Sequence, residues 1–266
     1  MGQSVAGTMK TIEINSSQNT TFKRFLRLKS PRDIRKHDRA LLSGPKQIRE
    51  VLQEFPDRCA GIISSSRHDV PDFPGTEAIP RYRLSPNLFS QVDCFGTKQP
   101  VLIVRAEALP HFDGTMESPG CTLCVPFQDP SNVGAVIRAS AAFGVTRIVF
   151  LKEAAHPFHP KSVRVAGSCI FRIPFYQGPA ISRLALLKLP LVIMSTEGKD
   201  VARFDFPESF CLVPGLEGPG IPGTLEGACK VSIPMVNSVE SLNAAMATGI
   251  VLYLWQNREY YGRTSC

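Results

Sequence analysis

The sequence predicts an α/β protein in two parts: a compact N-terminal α/β unit, then a mostly parallel sheet with helices on both faces. Three observations lead there. In the second half, short unbroken apolar runs alternate with helical stretches, the pattern of strands buried on both sides by crossover helices. The stretch Glu107–Gly120, rich in Pro, Gly and charge, reads as a linker between the halves. Positive charge is also segregated. Between Lys23 and Arg49 ten Lys/Arg stand against Asp33 and Asp38, whereas the remaining chain carries 20 basic and 21 acidic residues. One end is therefore an electropositive handle on a near-neutral body, which points to nucleic-acid contact. A length of 266 residues suits two modest domains. The expected division is a flexible arm at 1–20, a first domain at 21–106, the linker at 107–120 and a second domain at 121–266.

Residues 1–20 are polar, with Asn, Ser, Gln and Thr clustered at 15–21, and are expected to form a loose arm. A basic helix-like segment runs from Phe22 to about Arg39, and Ala40–Ser43 reads as a strand. Gly44-Pro45 opens a helix over Lys46–Phe55, where Ile48, Val51, Leu52 and Phe55 recur at helical spacing. Cys59–Ser64 is a second strand and Pro71–Pro80 a proline-rich loop. Tyr82–Leu84, a helix at Pro86–Val92 and a strand at Val101–Val104 complete the first unit. In the second half, strands are predicted at Thr122–Phe127, Arg147–Leu151, Leu191–Ser195, Phe210–Val213 and Lys230–Ile233. Helices are predicted at Gly134–Phe143, Pro160–Ser168, Pro179–Lys188 and Ser238–Arg258. From Ala244 to Trp255 only Thr248 is polar, so the last helix is expected to be buried on all sides. Its apolar run of 12 residues falls short of the about 20 needed to span a bilayer.

Composition narrows the function classes. The apolar fraction of 43% and charged fraction of 20% are those of a soluble globular protein. The N-terminus MGQSVAGTMK lacks a signal-peptide core, and Ala6 stands where a myristoylation signal needs Ser or Thr. A cytoplasmic protein without membrane contact is expected. The eight cysteines show no framework spacing, and the single CxxC, Cys121-Thr-Leu-Cys124, reads as two cysteines in a buried strand. A zinc or redox pair would need a second CxxC or nearby histidines as further ligands, and His156 and His159 lie in a Pro-rich turn without a third ligand. No metal is expected.

Three segments carry chemistry. Asp129-Pro-Ser-Asn-Val-Gly-Ala-Val-Ile-Arg138 is a strand end, a turn and a helix start, with Asn132 fitting the N-cap and the following N–H groups free. Arg138 sits among small apolar residues, so its guanidinium is expected to point into a crevice. Pro214–Gly223, PGLEGPGIPG, contains a formal GxGxxG at Gly218, Gly220 and Gly223. Pro219 and Pro222 interrupt it, and the next strand follows within about seven residues, leaving no room for a pyrophosphate-holding helix. A dinucleotide oxidoreductase is disfavoured on that ground. The glycines instead let backbone approach a ligand or a neighbouring loop, and Glu217 is lodged among them. Val231–Trp255 pairs a strand halted by Pro234 with the apolar helix, whose expected first turn carries Ser238, Glu240, Ser241 and Asn243. In parallel α/β sheets such loops meet beyond the C-terminal strand ends, where ligands bind.

Taken in order, these segments resemble the three motifs of the SpoU (TrmH) branch of the SPOUT methyltransferases. The first matches as Asn132-x-Gly134-x-x-x-Arg138, the second as Gly215-x-Glu217-Gly218, the third as Ser232-Ile-Pro-Met235 followed by Ser241-Leu-Asn243. Leu41-Leu-Ser-Gly44 with its following helix is similar to that family's ribosomal-protein-like substrate domain. The resemblance implies S-adenosylmethionine-dependent methyl transfer to a ribose 2′-hydroxyl of RNA, a C-terminal trefoil knot and a homodimer. It implies a catalytic set of Asn132, Arg138, Glu217, Ser241 and Asn243, and a cofactor held by Thr196, Gly215, Ile233, Met235 and Leu242. Lys161 and Arg164 resemble a basic pair that meets RNA phosphates, and Lys23, Arg24, Arg27, Arg35 and Lys36 are the candidate RNA contacts of the first domain. A separate basic domain favours ribosomal RNA. A tRNA substrate, or a non-catalytic RNA-binding protein that kept the fold, are the alternatives.

Methyl transfer from a sulfonium needs little covalent help. The difficulty is a 2′-hydroxyl whose proton leaves reluctantly and which must be aimed at the methyl carbon. Positioning contributes roughly 7–11 kcal/mol in the best intramolecular cases. An arginine does not serve as a literal base in proteins. Arg138 is therefore expected to orient the hydroxyl and its phosphate and to stabilise the developing alkoxide.

Overall fold

The computed structural model describes residues 11–67, 79–115, 119–187, 189–215, 225, 227–236 and 241–258. It resolves into two units, Met1–Ala108 with Phe158–Ser168, and Leu109–Pro157 with Cys169–Cys266. The first runs β1 (Ile12–Ile14), α1 (Thr20–Arg27), α2 (Pro31–His37), β2 (Arg39–Ser43), α3 (Pro45–Glu54), β3 (Cys59–Ser65), β4 (Arg81–Leu84), α4 (Pro86–Val92) and β5 (Val101–Arg105). Its sheet has the order β1-β4-β3-β5-β2, parallel from β1 to β3 and antiparallel from β3 to β2. Ile14, Phe22, Phe25, Leu28, Leu84 and Phe89 meet in its core, each large side chain contributing about 1.5–3 kcal/mol by leaving water.

Two expectations are corrected here. The loose arm at 1–20 is ordered from residue 11: Ile14 is buried, β1 pairs with β4, and Asn19 caps α1 by accepting from the Thr21 and Phe22 N–H groups at 2.9 and 3.1 Å. The single basic helix is two. Pro31 has no N–H to continue α1 and instead opens α2, which Asp38 closes in a left-handed turn (φ 50°). Lys23, Arg24, Arg27, Arg35 and Lys36 are all exposed while Phe22, Phe25 and Ile34 face inward.

The chain continues through β6 (Gly120–Val125), α5 (Pro130–Ala142), β7 (Arg147–Phe150) and α6 (Pro160–Ala166). It ends with β8 (Phe175–Gln177), β9 (Leu191–Asp200), β10 (Ser209–Val213), β11 (Cys229–Ser232) and α7 (Ala244–Gln256). Helix α6 packs against β2 and is counted with the first unit. Among the described residues the second unit has six strands, all parallel, in the order β11-β9-β10-β6-β7-β8. The chain lays β7 and β8 on one side of β6 and then β9, β10 and β11 on the other. The switch point therefore lies between β6 and β10. Strand β8 has no counterpart in the sequence reading, and the helix expected at Pro179–Lys188 is a tighter 3-10 coil over Ile181–Leu187. Cys121 and Cys124 are two buried strand cysteines. Burial and Cys211 push the Cys121 thiol up, and the contact with Cys211 together with burial does the same for Cys124.

Helix α7 lays Ala245, Thr248, Val251, Leu252 and Trp255 inward, with the Trp255 ring edge-on to Phe210 at 5.8 Å. Thr248 satisfies its hydroxyl by donating to the Ala244 carbonyl at 2.7 Å. Burial by this chain alone is one-sided: Met246 is 60% exposed and Tyr253 42%. Sheet and neighbouring helix cover only one side of α7, and a stripe of its apolar surface remains outside.

Candidate functional site

The site is built from strand ends at the switch point. Strand β6 ends at Val125, and the chain turns into α5, whose N-cap is Asp129; its carboxylate accepts from the Ser131 N–H at 2.9 Å. The expected cap, Asn132, is corrected to a residue of the first helical turn. Pro130 takes N1, where no N–H is needed, so the cap falls one residue before it. Helix α7 likewise begins later than expected. Asn243, not Ser238, is its cap, because its φ/ψ of −52°/133° is non-helical and its side-chain oxygen accepts from the Ala245 and Met246 N–H groups, each at 3.1 Å. Ser241 and Leu242 thus precede the helix, and Ser238 and Glu240 lie outside the described residues.

The two helix starts are joined. The Asn243 side-chain amide donates to the Asn132 side-chain oxygen at 3.0 Å, and Asn132 is 8% exposed. Further along, Gly249 lies against Ala139, and Phe143 meets Tyr253 edge-on at 5.8 Å. Contacts that advance in the same direction on both helices mean that α5 and α7 run parallel. Their N-termini, each carrying about half a positive charge, therefore lie side by side. Such an end favours groups that develop negative charge.

Arg138 is not joined to this pair. Six residues after Asn132, its position is turned about 120° around α5 from the side facing α7, and the side chain is exposed. It has no hydrogen-bond or ion-pair partner among the described residues. Ser241 is exposed, and Glu217 and the GxGxxG glycines lie outside the described residues. Of the five expected catalytic residues, the structure brings together Asn132 and Asn243.

Of the expected cofactor residues, Thr196 lies within β9, Gly215 just after β10, Ile233 and Met235 just after β11, and Leu242 just before α7. Gly215 follows β10, and a Cβ there would stand 3.3 Å from the Met194 carbonyl of β9. Pairing between β11 and β9 jumps from Lys230↔Ile193 to Val231↔Lys199, so Met194–Gly198 loops out of register, with Thr196 exposed on it. Two contacts fasten this loop. The Ser232 hydroxyl donates to the Gly198 carbonyl at 2.9 Å, and a Cβ on Gly198 would stand 2.5 Å from the Val231 carbonyl carbon. Ile233, Met235 and Leu242 are half-buried. Sequence reasoning did not single out Gly198, Asp129 or the Ser232 hydroxyl; a glycine just past an apolar strand, in Ser195-Thr-Glu-Gly198, was the available signal.

The remaining basic residues lie in the first unit. Lys161 and Arg164 sit exposed on α6, and the His159 imidazole caps that helix by accepting from the Lys161 N–H at 3.3 Å. Burial, and then Lys161, hold His159 below the ordinary histidine range.

Comparison with known proteins follows the same lines. Residues 122–253 match the model of the SpoU rRNA Methylase family. The chain is 42% identical over 244 residues to the "Ribosomal RNA small subunit methyltransferase G 2" of Syntrophobacter fumaroxidans, covering 91% of this chain and 49% of that protein. It is 32% identical over 148 residues to the 23S rRNA (uridine(2479)-2'-O)-methyltransferase of Streptomyces viridochromogenes, covering 51% and 52%. The chain thus spans about half the length of these curated relatives. Among solved structures, an AdoMet-bound rRNA methyltransferase from Sinorhizobium meliloti superposes with a TM-score of 0.76 at 21% identity, over 94% of this chain and 98% of that one. That likeness establishes the fold: a parallel α/β sheet flanked by helices.

Proposed function

Through residues 122–253 the chain belongs to the SpoU rRNA methylase family, and from that premise we propose that it methylates a ribose 2′-hydroxyl of RNA, with ribosomal RNA the substrate. The observation that carries the proposal is the Asn243–Asn132 hydrogen bond, which locks two parallel helix starts at the switch point of the sheet. The methyl donor is S-adenosylmethionine, and the strand ends suit it. Glycines at 198 and 215 let backbone come close, and half-buried Ile233, Met235 and Leu242 offer apolar walls beside exposed Thr196. When bound, the donor supplies an electrophilic methyl carbon. The protein's part is to aim the ribose oxygen and favour its developing negative charge. The paired helix N-termini suit the second task, and Arg138, Ser241 and Glu217 complete the set.

Residues 21–106, with α6 and its flanks (Phe158–Ser168) packed on them, form the RNA-binding domain, 107–120 the linker and the rest of 121–266 the catalytic domain. The exposed Lys23, Arg24, Arg27, Arg35 and Lys36 supply phosphate contacts. Two copies pair through α7, a reading supported by exposed Met246 and Tyr253 on an otherwise apolar helix. The C-terminal domain is folded as a trefoil knot, as the family resemblance implies. The reaction needs no metal. It takes place in the cytoplasm, a reading supported by described cysteines that are all free thiols and by the lack, among the described residues, of a helix able to cross a membrane.

The test combines calorimetry with S-adenosylmethionine and transfer of labelled methyl groups to ribosomal RNA, followed by nuclease digestion and mass spectrometry. A 2′-O-methylated nucleoside is expected. Donor binding without any methylated nucleoside would leave a non-catalytic RNA-binding protein.

A further inference from the structure

Phe95 sits on the loop between α4 and β5, and that loop is held by one buried carboxylate. Asp93, 7% exposed, accepts from the Phe95 N–H at 3.3 Å, the Thr97 hydroxyl at 3.3 Å and the Lys98 N–H at 2.7 Å. Lys98 is held in the left-handed region at φ 56°, a conformation that a side chain adopts only when its surroundings impose it. Helix α6 is anchored independently, by its packing on β2 and by the Ser168 hydroxyl donating to the Glu50 carboxylate at 3.3 Å. These two fixed elements bring the Arg164 guanidinium over the Phe95 ring, 4.3 Å from its centroid. Arg164 is exposed, Phe95 half-buried, and no carboxylate pairs with Arg164 among the described residues.

A guanidinium laid on an aromatic ring has its own outer face open, and that face stacks on nucleobases as readily as on side chains. Were Arg164 a simple phosphate contact, a lysine would serve there and the ring beneath it would have no part. We infer that Arg164, backed by Phe95, is a stacking platform for one unpaired RNA base. Lys98 in the same loop and Lys161, one helical turn before Arg164, carry the neighbouring phosphates. The platform takes any base, because every base has a π face, and contributes grip on a single-stranded segment rather than sequence choice. This inference rests on the RNA-substrate reading above.

The test uses the full chain and two probes of equal length. One is a short oligoadenylate with 2-aminopurine at alternate positions, the other an abasic ribose-phosphate chain. The wild type is expected to quench 2-aminopurine fluorescence and to prefer the base-bearing chain by about tenfold. Arg164→Lys, which keeps the charge, and Phe95→Leu, checked for folding by circular dichroism, are expected to lose that preference. In Arg164→Lys the affinity for the abasic chain and the salt dependence remain those of the wild type. Equal losses on both probes would make Arg164 a phosphate contact and overturn the platform; so would variants that keep the wild-type preference. Calorimetry with S-adenosylmethionine separates the two readings. A chain that binds the donor but shows no base preference overturns the platform alone, and one that binds neither donor nor RNA overturns the methyltransferase reading with it.

Discussion

Asn243 holds two positions with one amide. Its oxygen caps α7 and its nitrogen reaches the buried Asn132. Asn243→Ala removes the cap and one hydrogen bond of the buried Asn132, so urea unfolding should register a loss of about 2 kcal/mol. Asn243→Asp retains the capping oxygen but has no N–H to donate. A stability loss smaller than that of Asn243→Ala, together with a large fall in methylation rate, is expected, which separates the cap from the alignment of the helix starts. Gly198→Ala puts a methyl group into the Val231 backbone. Overpacking of this kind costs about 1–3 kcal/mol, and calorimetry should register weaker donor binding because the looped-out residues 194–198 must move. At this scale the sequence was partly legible. Asn132 and Asn243 were named from motif spacing, yet their hydrogen bond and their swapped roles, helical residue and cap, depend on Pro130 and on where α7 begins. Arg138 is exposed on α5, about 120° from the side that faces α7, an angular position its small neighbours do not reveal.

Among the elements, long apolar strands and the helices with proline starts were legible, and the short or irregular pieces were not. β1 and β8 have three residues each and too little pattern to register; β1 exists because β4 offers it an edge and Ile14 a place in the core. The loop-out in β9 is invisible to periodicity because it is set by pairing with β11. Helix α6 gives a pH prediction. His159 can accept from the Lys161 N–H only when Nδ1 is unprotonated, and its folded pKa lies below the ordinary value. A depressed histidine pKa contributes stability that is present above the unfolded-state value and is lost as pH falls through the folded one. Amide protection in α6, exchange measured relative to the unstructured chain at the same pH, should therefore fall as pH drops below the ordinary histidine range. In His159→Asn, which caps at any pH, that dependence should vanish.

On the scale of the whole chain, the basic N-terminal unit and the parallel C-terminal sheet were legible from charge and strand pattern, but the membership of Phe158–Ser168 was not. Nothing in the sequence says that a crossover helix between β7 and β8 should pack on β2, since tertiary contact decides it. Residues 1–108 expressed alone should consequently lack part of their own unit, with β2, Gln47 and Glu50 missing the helix that covers them. Lower solubility and a lower melting temperature are expected for that fragment than for the same unit within the full chain, measurable by scanning calorimetry. The same feature bears on how the protein is made. A domain encoded by one continuous stretch can fold as soon as it leaves the ribosome, but this one must wait for a piece encoded some fifty residues downstream of Ala108. At roughly 5–20 residues per second of synthesis, the unit spends several seconds unfinished, its β2 surface open, while the linker and the first strands of the sheet are still being translated.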